Sequence, residues 1–314
     1  MNVSNEHAEF LGKIAVDYYL NKMKLNDITE KYQISRYHLG KYLDEALENG
    51  IVEINIHSGS ARNFDLELQF KQYFGIKHIF IIKNPLQQNL QNSSVPSFAA
   101  KYIQEIINQS KIVGVAFGKT LSQTIAHFDS HIRNDLIFTQ FMGENPIHTR
   151  DNSIFLVQRL ADLYNAQASP MLAPLYVTDD ATRAGLKMVP GIFEALSNSK
   201  ECDLILSGIG TADSITNLPQ TEEIFPNINL NQVAGVLYGR PYDINGKFLN
   251  SILDKTLSYP LTKILDVKRR FGVAEGVNKA PAILGALNGN LFTDLVIDET
   301  LALQVLDLKK QALD

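Results

Sequence analysis

The chain has 314 residues, 45% of them hydrophobic and 20% charged, and a formal net charge of −5. That is the composition of a soluble globular protein with room for one large or two ordinary domains. It excludes a chain basic all over and built to coat nucleic acid, but not a small DNA-reading module. The lone cysteine, Cys202, excludes an internal disulfide and points to a reducing cytoplasm; it reads as a small buried residue rather than a nucleophile. No apolar run reaches the ~18 residues of a membrane span, and the polar first residues predict no secretory signal.

Residues 6–21 (EHAEFLGKIAVDYYLN) place Phe10, Leu11, Ile14, Ala15, Tyr18 and Tyr19 at the spacing of an amphipathic helix. A short helix through Glu30 and Tyr32 follows, with Asn26 or Asp27 as its cap, and then a tight turn at Gln33-Ile34. Ser35 is placed to cap a second helix that runs to about Asn49 and stops at Gly50. Ile51 to Ile56 (IVEINI) alternates like a strand and suggests a small wing. Together these make the layout of a winged helix-turn-helix over residues 1–56, with Ile28, Tyr32, Ile34, Leu39 and Leu43 as its core. Ser35, Arg36, Tyr37, His38 and Lys41 would then occupy the start and outer face of the second helix. There arginine and lysine can read guanine or phosphate in the major groove of double-stranded operator DNA.

The competing reading of this segment is a small helical bundle, such as a dimerisation cap. Residues 1–56 hold six Lys or Arg against nine acids, a net −3, which is poor for non-specific attraction to DNA. The basic groups nonetheless gather toward the second helix. A module so weakly charged is expected to need several half-sites.

Residues 57–314 change pattern. After a polar stretch, Asn84 to Ser97, read as a loop, short apolar runs alternate with helical stretches. The runs are IKHIFIIK, KIVGVAFG, DLIFTQF, SPMLAPLYV, CDLILSGIG, QVAGVLYG, RRFGVAEG and FTDLVID. Strand–loop–helix repetition with glycine-rich turns at strand ends predicts an α/β fold with a mostly parallel sheet. Ligands in such sheets sit at the carboxyl ends of strands. Gly118-Lys119-Thr120, Gly143, Gly208-Ile209-Gly210, Gly239-Arg240, Asp243 and Ala274-Glu275-Gly276 all follow such runs and could share one mouth. IVGVAFGKT meets a helix as a phosphate-binding loop does, yet it is too short for G-x-x-x-x-G-K-[ST] and contains no G-x-G-x-x-G. His127, His131 and His148 lack metal-ligand spacing, and no metal or cofactor is expected.

Several motifs in order carry a family resemblance: the ISR helix followed by GIVEI, then IVGVAFGKTL, DLILSGIG, GVLYGRPYDINGK and GVAEGVNKAPAILGALNGNLFTDLVID. Over nearly its whole length the chain resembles SorC/DeoR-type bacterial transcriptional regulators. The resemblance implies an N-terminal domain that binds operator DNA. It implies a Rossmann-like C-terminal domain, related to sugar-phosphate isomerases and glucosamine-phosphate deaminases, that binds a phosphorylated sugar or polyol. It also implies a homo-oligomer, commonly a tetramer, whose assembly or DNA affinity answers to the ligand. Hexitol or pentitol phosphates suit the analogy with relatives that control polyol operons.

By position, Gly118, Lys119 and Thr120 match the loop that receives phosphate, and Lys279 matches the family lysine after the glycine turn. The chemistry agrees. Amides of a tight turn at a helix start, a hydroxyl and an ammonium group all favour an anion. Asp243 matches an aspartate that accepts bonds from sugar hydroxyls, although DING is also a plain turn signal. Gly208 and Gly210 would let the backbone approach the ligand. Asp298 serves either the site or the cap of the final helix.

The chain departs from the family pattern at Glu275, where relatives have glycine. Its carboxylate would turn away, pair with Lys279, or read a ligand hydroxyl. It departs also at Met142, where some relatives place a Schiff-base lysine, so binding is expected to be non-covalent. Gly40 stands inside the second helix where serine is common. The alternative to a regulator is a sugar-phosphate isomerase or deaminase, with Asp243, Glu275 and Lys279 as its acid–base groups. That reading leaves the first fifty residues without a task.

Overall fold

The computed structural model describes residues 5–52, 61–84, 94–144, 153–216, Leu218, 221–249 and 254–311. The chain divides into two compact units, Met1–Gly59 and Ser60–Asp314.

The first unit is built from α1 (Asn5–Ala15), a π-helical turn (Val16–Leu20), α2 (Leu25–Tyr32) and α3 (Arg36–Glu48). Ile14, Ile28, Leu39 and Leu43 are buried together, with Tyr32 and Ile34 packed at their margin. Asp17 ties the π-helical turn to α2: its carboxylate accepts bonds from Lys31 Nζ at 2.6 Å, Tyr32 Oη at 2.7 Å and Asn21 Nδ2 at 2.9 Å. Those donors, Lys31 foremost, hold its pKa down at about 2. The cap expected at Asn26 or Asp27 lies instead at Lys24, whose carbonyl accepts the Ile28 N–H. Asp27 therefore falls in the first turn, where its charge favours the positive end of the helix. Gln33 closes α2 in the left-handed conformation (φ 53°), which supplies the expected tight turn. Ser35 caps α3, its Oγ accepting from His38 N–H at 3.2 Å. The chain leaves α3 through Gly50 (φ 68°). Ile51 and Val52 form a bend, and the rest of the expected wing lies outside the described residues.

The second unit runs α4 (Phe64–Phe74), β1 (His78–Ile82), α5 (Val95–Ile107), β2 (Ile112–Val115), α6 (Lys119–Ile125), β3 (Ile137–Gln140), α7 (Ser153–Tyr164) and β4 (Gln167–Ser169). It continues with α8 (Asp180–Lys187), α9 (Pro190–Asn198), β5 (Leu204–Ser207), the one-turn helices α10 (Asp213–Thr216) and α11 (Thr221–Ile224), β6 (Gly235–Leu237) and β7 (Arg240–Tyr242). It closes with α12 (Leu261–Asp266), β8 (Arg269–Ala274), α13 (Ala280–Asn288), β9 (Asp294–Asp298) and α14 (Glu299–Gln311). Seven strands make one sheet in the order β1-β9-β8-β5-β2-β3-β4. Every pairing in it is parallel.

Helices cover both faces of the sheet, so its strands are apolar throughout rather than alternating. Ile205, Leu295 and Ile297 pack toward Phe70, Ile283 and Leu301 on one face. Leu204, Leu206, Val113 and Val115 pack toward Ile103, Leu121 and Leu160 on the other. At the amino end of β9, the fully buried Asp294 is satisfied by Arg269 Nε (2.9 Å), Tyr102 Oη (2.7 Å) and Thr293 Oγ1 (2.7 Å).

Three expectations are corrected. The loop expected over Asn84–Ser97 ends earlier among the described residues: Ser94 caps α5, accepting the Ser97 N–H, and Pro96 sits in the first turn where its missing N–H costs nothing. SPMLAPLYV joins the sheet only through Ser169, because Pro170 and Pro174 remove the amides that a ladder needs. QVAGVLYG is not a sheet strand. Its Gly235–Leu237 pairs antiparallel with Arg240–Tyr242 as a two-strand hairpin. The two residues at the hairpin tip, Tyr238 (φ 54°) and Gly239 (φ 75°), both have the positive φ of a type I′ turn.

Candidate functional site

The strand order reverses between β2 and β5. From β2 the chain builds outward through β3 and β4, then returns to place β5 on the other side of β2. This is the switch point at which parallel α/β sheets open a crevice beyond the carboxyl ends of their strands. The loops leaving β2 and β5 meet there at two glycines. A Cβ on Gly118 would sit 3.1 Å from Gly208 Cα, and one on Gly208 would sit 3.2 Å from Gly118 Cα and 3.3 Å from Phe117 O. Gly118 also has φ 154°, a backbone conformation that side chains oppose.

A cavity of about 240 Å³ opens over this contact. The loop after β2 contributes Phe117, Gly118 and Lys119, the loop after β5 contributes Gly208, Ile209 and Gly210, and Lys279 enters from the start of α13 beyond β8. Met142, Tyr176, Ser214, Val236 and the hairpin tip Tyr238-Gly239 also line it. Lys119 is exposed and Lys279 half-buried. Burial holds the Lys279 amine below the ordinary lysine range; Glu275 opposes that shift, the like charge of Lys119 adds to it, and Asp298 opposes it. Lys279 Nζ lies 3.4 Å from Thr120 Oγ1 and donates to it. One end of the cavity is thus cationic, with first-turn amides of α6 that have no partner within the helix. The other walls are mostly apolar and aromatic. An anionic group at that end, with the rest of the ligand against the apolar and aromatic walls, fits that distribution.

The structure brings Gly118, Lys119, Gly208, Gly210 and Lys279 to this wall. Thr120 is buried behind it and reaches it only through Lys279. Gly143 is held elsewhere: its N–H donates to Leu257 O at 2.9 Å, and a Cβ there would come 2.2 Å from Pro174 O. The Asp243 carboxylate closes its own turn, accepting from Asn245 N and Lys247 N at 2.9 Å each. Arg240 is scaffold, its guanidinium donating to Asp254, Ser258 and the Tyr238 carbonyl. Glu275 is half-buried outside the wall; burial pushes its pKa up, Asp298 adds to the rise and Lys279 opposes it. Asp298 caps α14 through Leu301 N (2.9 Å) and ties down Gly276 N (2.9 Å). Tyr176, Ser214 and Tyr238 are wall residues that the sequence did not single out. The Cys202 thiol is raised to about 12 by burial, as befits an inert side chain. His127 and His131 are exposed, His148 lies outside the described residues, and no group of metal-binding residues occurs among the described ones.

In the first unit, Ser35, Arg36, Tyr37, His38, Gly40 and Lys41 are all exposed on the first turns of α3. Ser35 Oγ also hydrogen-bonds His38 Nδ1 at 2.9 Å, and Lys41 Nζ lies 5.2 Å from the Tyr37 ring centroid. This face therefore combines cations, an aromatic ring and hydroxyl donors, with no acid in the first turn.

Comparison with known proteins supplies the wider frame. The chain is 25% identical over 308 residues to the "Sorbitol operon regulator" of Klebsiella pneumoniae, covering 95% of this chain and 98% of that one. It is 25% identical over 314 residues to the "Transcriptional regulator LsrR" of Enterobacter sp. (strain 638), covering 96% and 93%. The crystal structure of the full-length sorbitol operon regulator SorC from Klebsiella pneumoniae superposes with a TM-score of 0.73 at 24% identity, covering 97% of this chain and all of that one. Residues 59–307 match the family model Sugar-bind, described as "Putative sugar-binding domain". That match spans most of the chain and the whole of the cavity described above, and the chain belongs to the Sugar-bind family.

Proposed function

We propose that the protein is a DNA-binding transcriptional regulator of sugar or polyol utilisation genes, controlled by non-covalent binding of a phosphorylated sugar or polyol. The observation that carries this reading is the cavity at the β2/β5 switch point, where Lys119 and Lys279 converge beside the first turn of α6. Phosphate would sit at that end, and the body of the ligand against Met142, Tyr176 and the hairpin tip. Met142 offers no amine for an imine. The names of the relatives, a sorbitol operon regulator and LsrR, support the regulatory class. The exposed face of α3 (Ser35, Arg36, Tyr37, His38, Lys41) would contact operator DNA, within a DNA-binding segment of residues 1–56 followed by an effector domain from residue 57. The ligand would shift an equilibrium between states of a homo-oligomer, taken as a tetramer, and DNA affinity would follow by linkage.

An isomerase or deaminase needs a general base within reach of the substrate. Among the described residues no carboxylate or imidazole lines the cavity, which favours a signal over a substrate. The test is binding of the purified chain to its own promoter fragment, with and without a polyol phosphate. The reading requires specific binding that changes when the ligand is added, with no turnover of the ligand. Turnover without DNA binding would replace it with the enzyme.

A further inference from the structure

At the amino ends of β1, β8 and β9, opposite the effector cavity, the second unit carries another opening, a groove of about 300 Å³. Lys77, His78, Lys268, Arg269 and Arg270 line it, and no acidic side chain does so among the described residues. Arg269 is neutralised by the buried Asp294. Arg270 is not. Its guanidinium is fixed by four main-chain carbonyls, those of Leu265, Val267, Asn290 and Leu291, at 2.6–3.1 Å. It is a rigid cation whose partners carry no formal charge. Lys77 and Lys268 are exposed beside it, and no carboxylate lies within ion-pair distance of either among the described residues. Three uncompensated positive charges therefore share one groove in a chain whose net charge is −5.

We propose that this groove is a contact for the phosphate backbone of double-stranded DNA. Charge is the argument. The first fifty-nine residues hold six basic and nine acidic side chains, a net −3. Phosphate neutralisation supplies most of the sequence-independent affinity for DNA, so a regulator of this composition has to draw cations from elsewhere. A guanidinium with an uncompensated charge and one N–H left over from its four carbonyls, flanked by two exposed ammonium groups, suits adjacent phosphates as a cluster of charge and carries no base specificity.

The test uses the full chain and a 40-base-pair duplex of arbitrary sequence, with affinity measured by fluorescence anisotropy from low to moderate salt. Each phosphate contact contributes about 0.9 to the slope of log affinity against log salt. Lys77→Gln/Lys268→Gln should lower the slope by about 1.8 and weaken binding at low salt, while Lys77→Arg/Lys268→Arg retains both. Lys101→Gln/Lys310→Gln, which removes equal charge elsewhere, should leave the slope within about 0.5 of the wild type. An unchanged slope in the first pair overturns the proposal, as does an equal fall in the control pair. A change of oligomeric state with unchanged DNA binding overturns it as well, and would assign the groove to an acidic surface of a second copy.

Discussion

Lys279→Ala removes the one half-buried ammonium among the residues that line the cavity. A hydrogen bond between a charged donor and a charged acceptor contributes about 1.5–3 kcal/mol, which corresponds to a roughly 10- to 150-fold loss of affinity. Lys119 lines the same cavity but is exposed, so water screens its charge more than that of half-buried Lys279. In a thermal-shift assay, a ligand at 100 times its dissociation constant stabilises by ~2.7 kcal/mol, and after a 100-fold loss the same concentration stabilises by only ~0.4 kcal/mol. For a domain of this size the first corresponds to roughly 5–11 °C and the second to about 1 °C. Thr120→Val should cost less, about 2- to 13-fold, because the Thr120 hydroxyl is neutral and lies behind the wall. The affinity should also fall with rising pH, since only the protonated amine attracts phosphate. Burial lowers the Lys279 pKa, so the fall begins at a lower pH than an ordinary lysine would give. The alanine variant should lack that dependence. Calorimetry that finds Lys279→Ala within twofold of the wild type, with the pH dependence intact, would refute the placement of phosphate at this end.

Other consequences follow from single residues. A Cβ on Gly40 would meet nothing within 4 Å, so Gly40→Ala should stabilise α3 by ~1 kcal/mol in a thermal melt. The Asp17 carboxyl is held at about 2 against roughly 3.9 for a free aspartate, so its contribution is present above pH ~4 and is lost as the pH falls toward 2. Asp17→Asn should abolish that acid-dependent loss, followed by circular dichroism of the helical unit. Among the described residues Tyr238 Oη is one of two buried side-chain oxygens without a partner. Tyr238→Phe should therefore stabilise the fold by up to the ~1–3 kcal/mol that an unsatisfied buried group costs, seen as a raised melting temperature; a lowered melting temperature would show that the hydroxyl is bonded.

The sequence made the parallel sheet legible because fully buried strands are short, continuous apolar runs closed by glycine turns. Ile112–Val115 and Leu204–Ser207 appear as such runs, and their closing glycines are the two that touch. Ser35 was legible for a different reason: a cap is a local interaction read from a few residues. The misses arise where non-local pairing decides. Gly235–Leu237 is as apolar as a sheet strand, yet its partner is Arg240–Tyr242, and nothing local in LYGR announces a tyrosine at positive φ. Asp243 and Gly143 follow strand-like runs, as site residues would, but one closes a turn and the other packs under Pro174. Only the tertiary fold separates a glycine kept for a ligand from one kept for a neighbouring backbone.

The most direct measurement is a thermal-shift panel of sugar and polyol phosphates, each beside its unphosphorylated parent and inorganic phosphate. The account predicts that one phosphorylated compound stabilises the chain, that its parent does not, and that the shift is lost in Lys279→Ala. Equal shifts for a phosphate and its parent, or no shift with any phosphate, would contradict it.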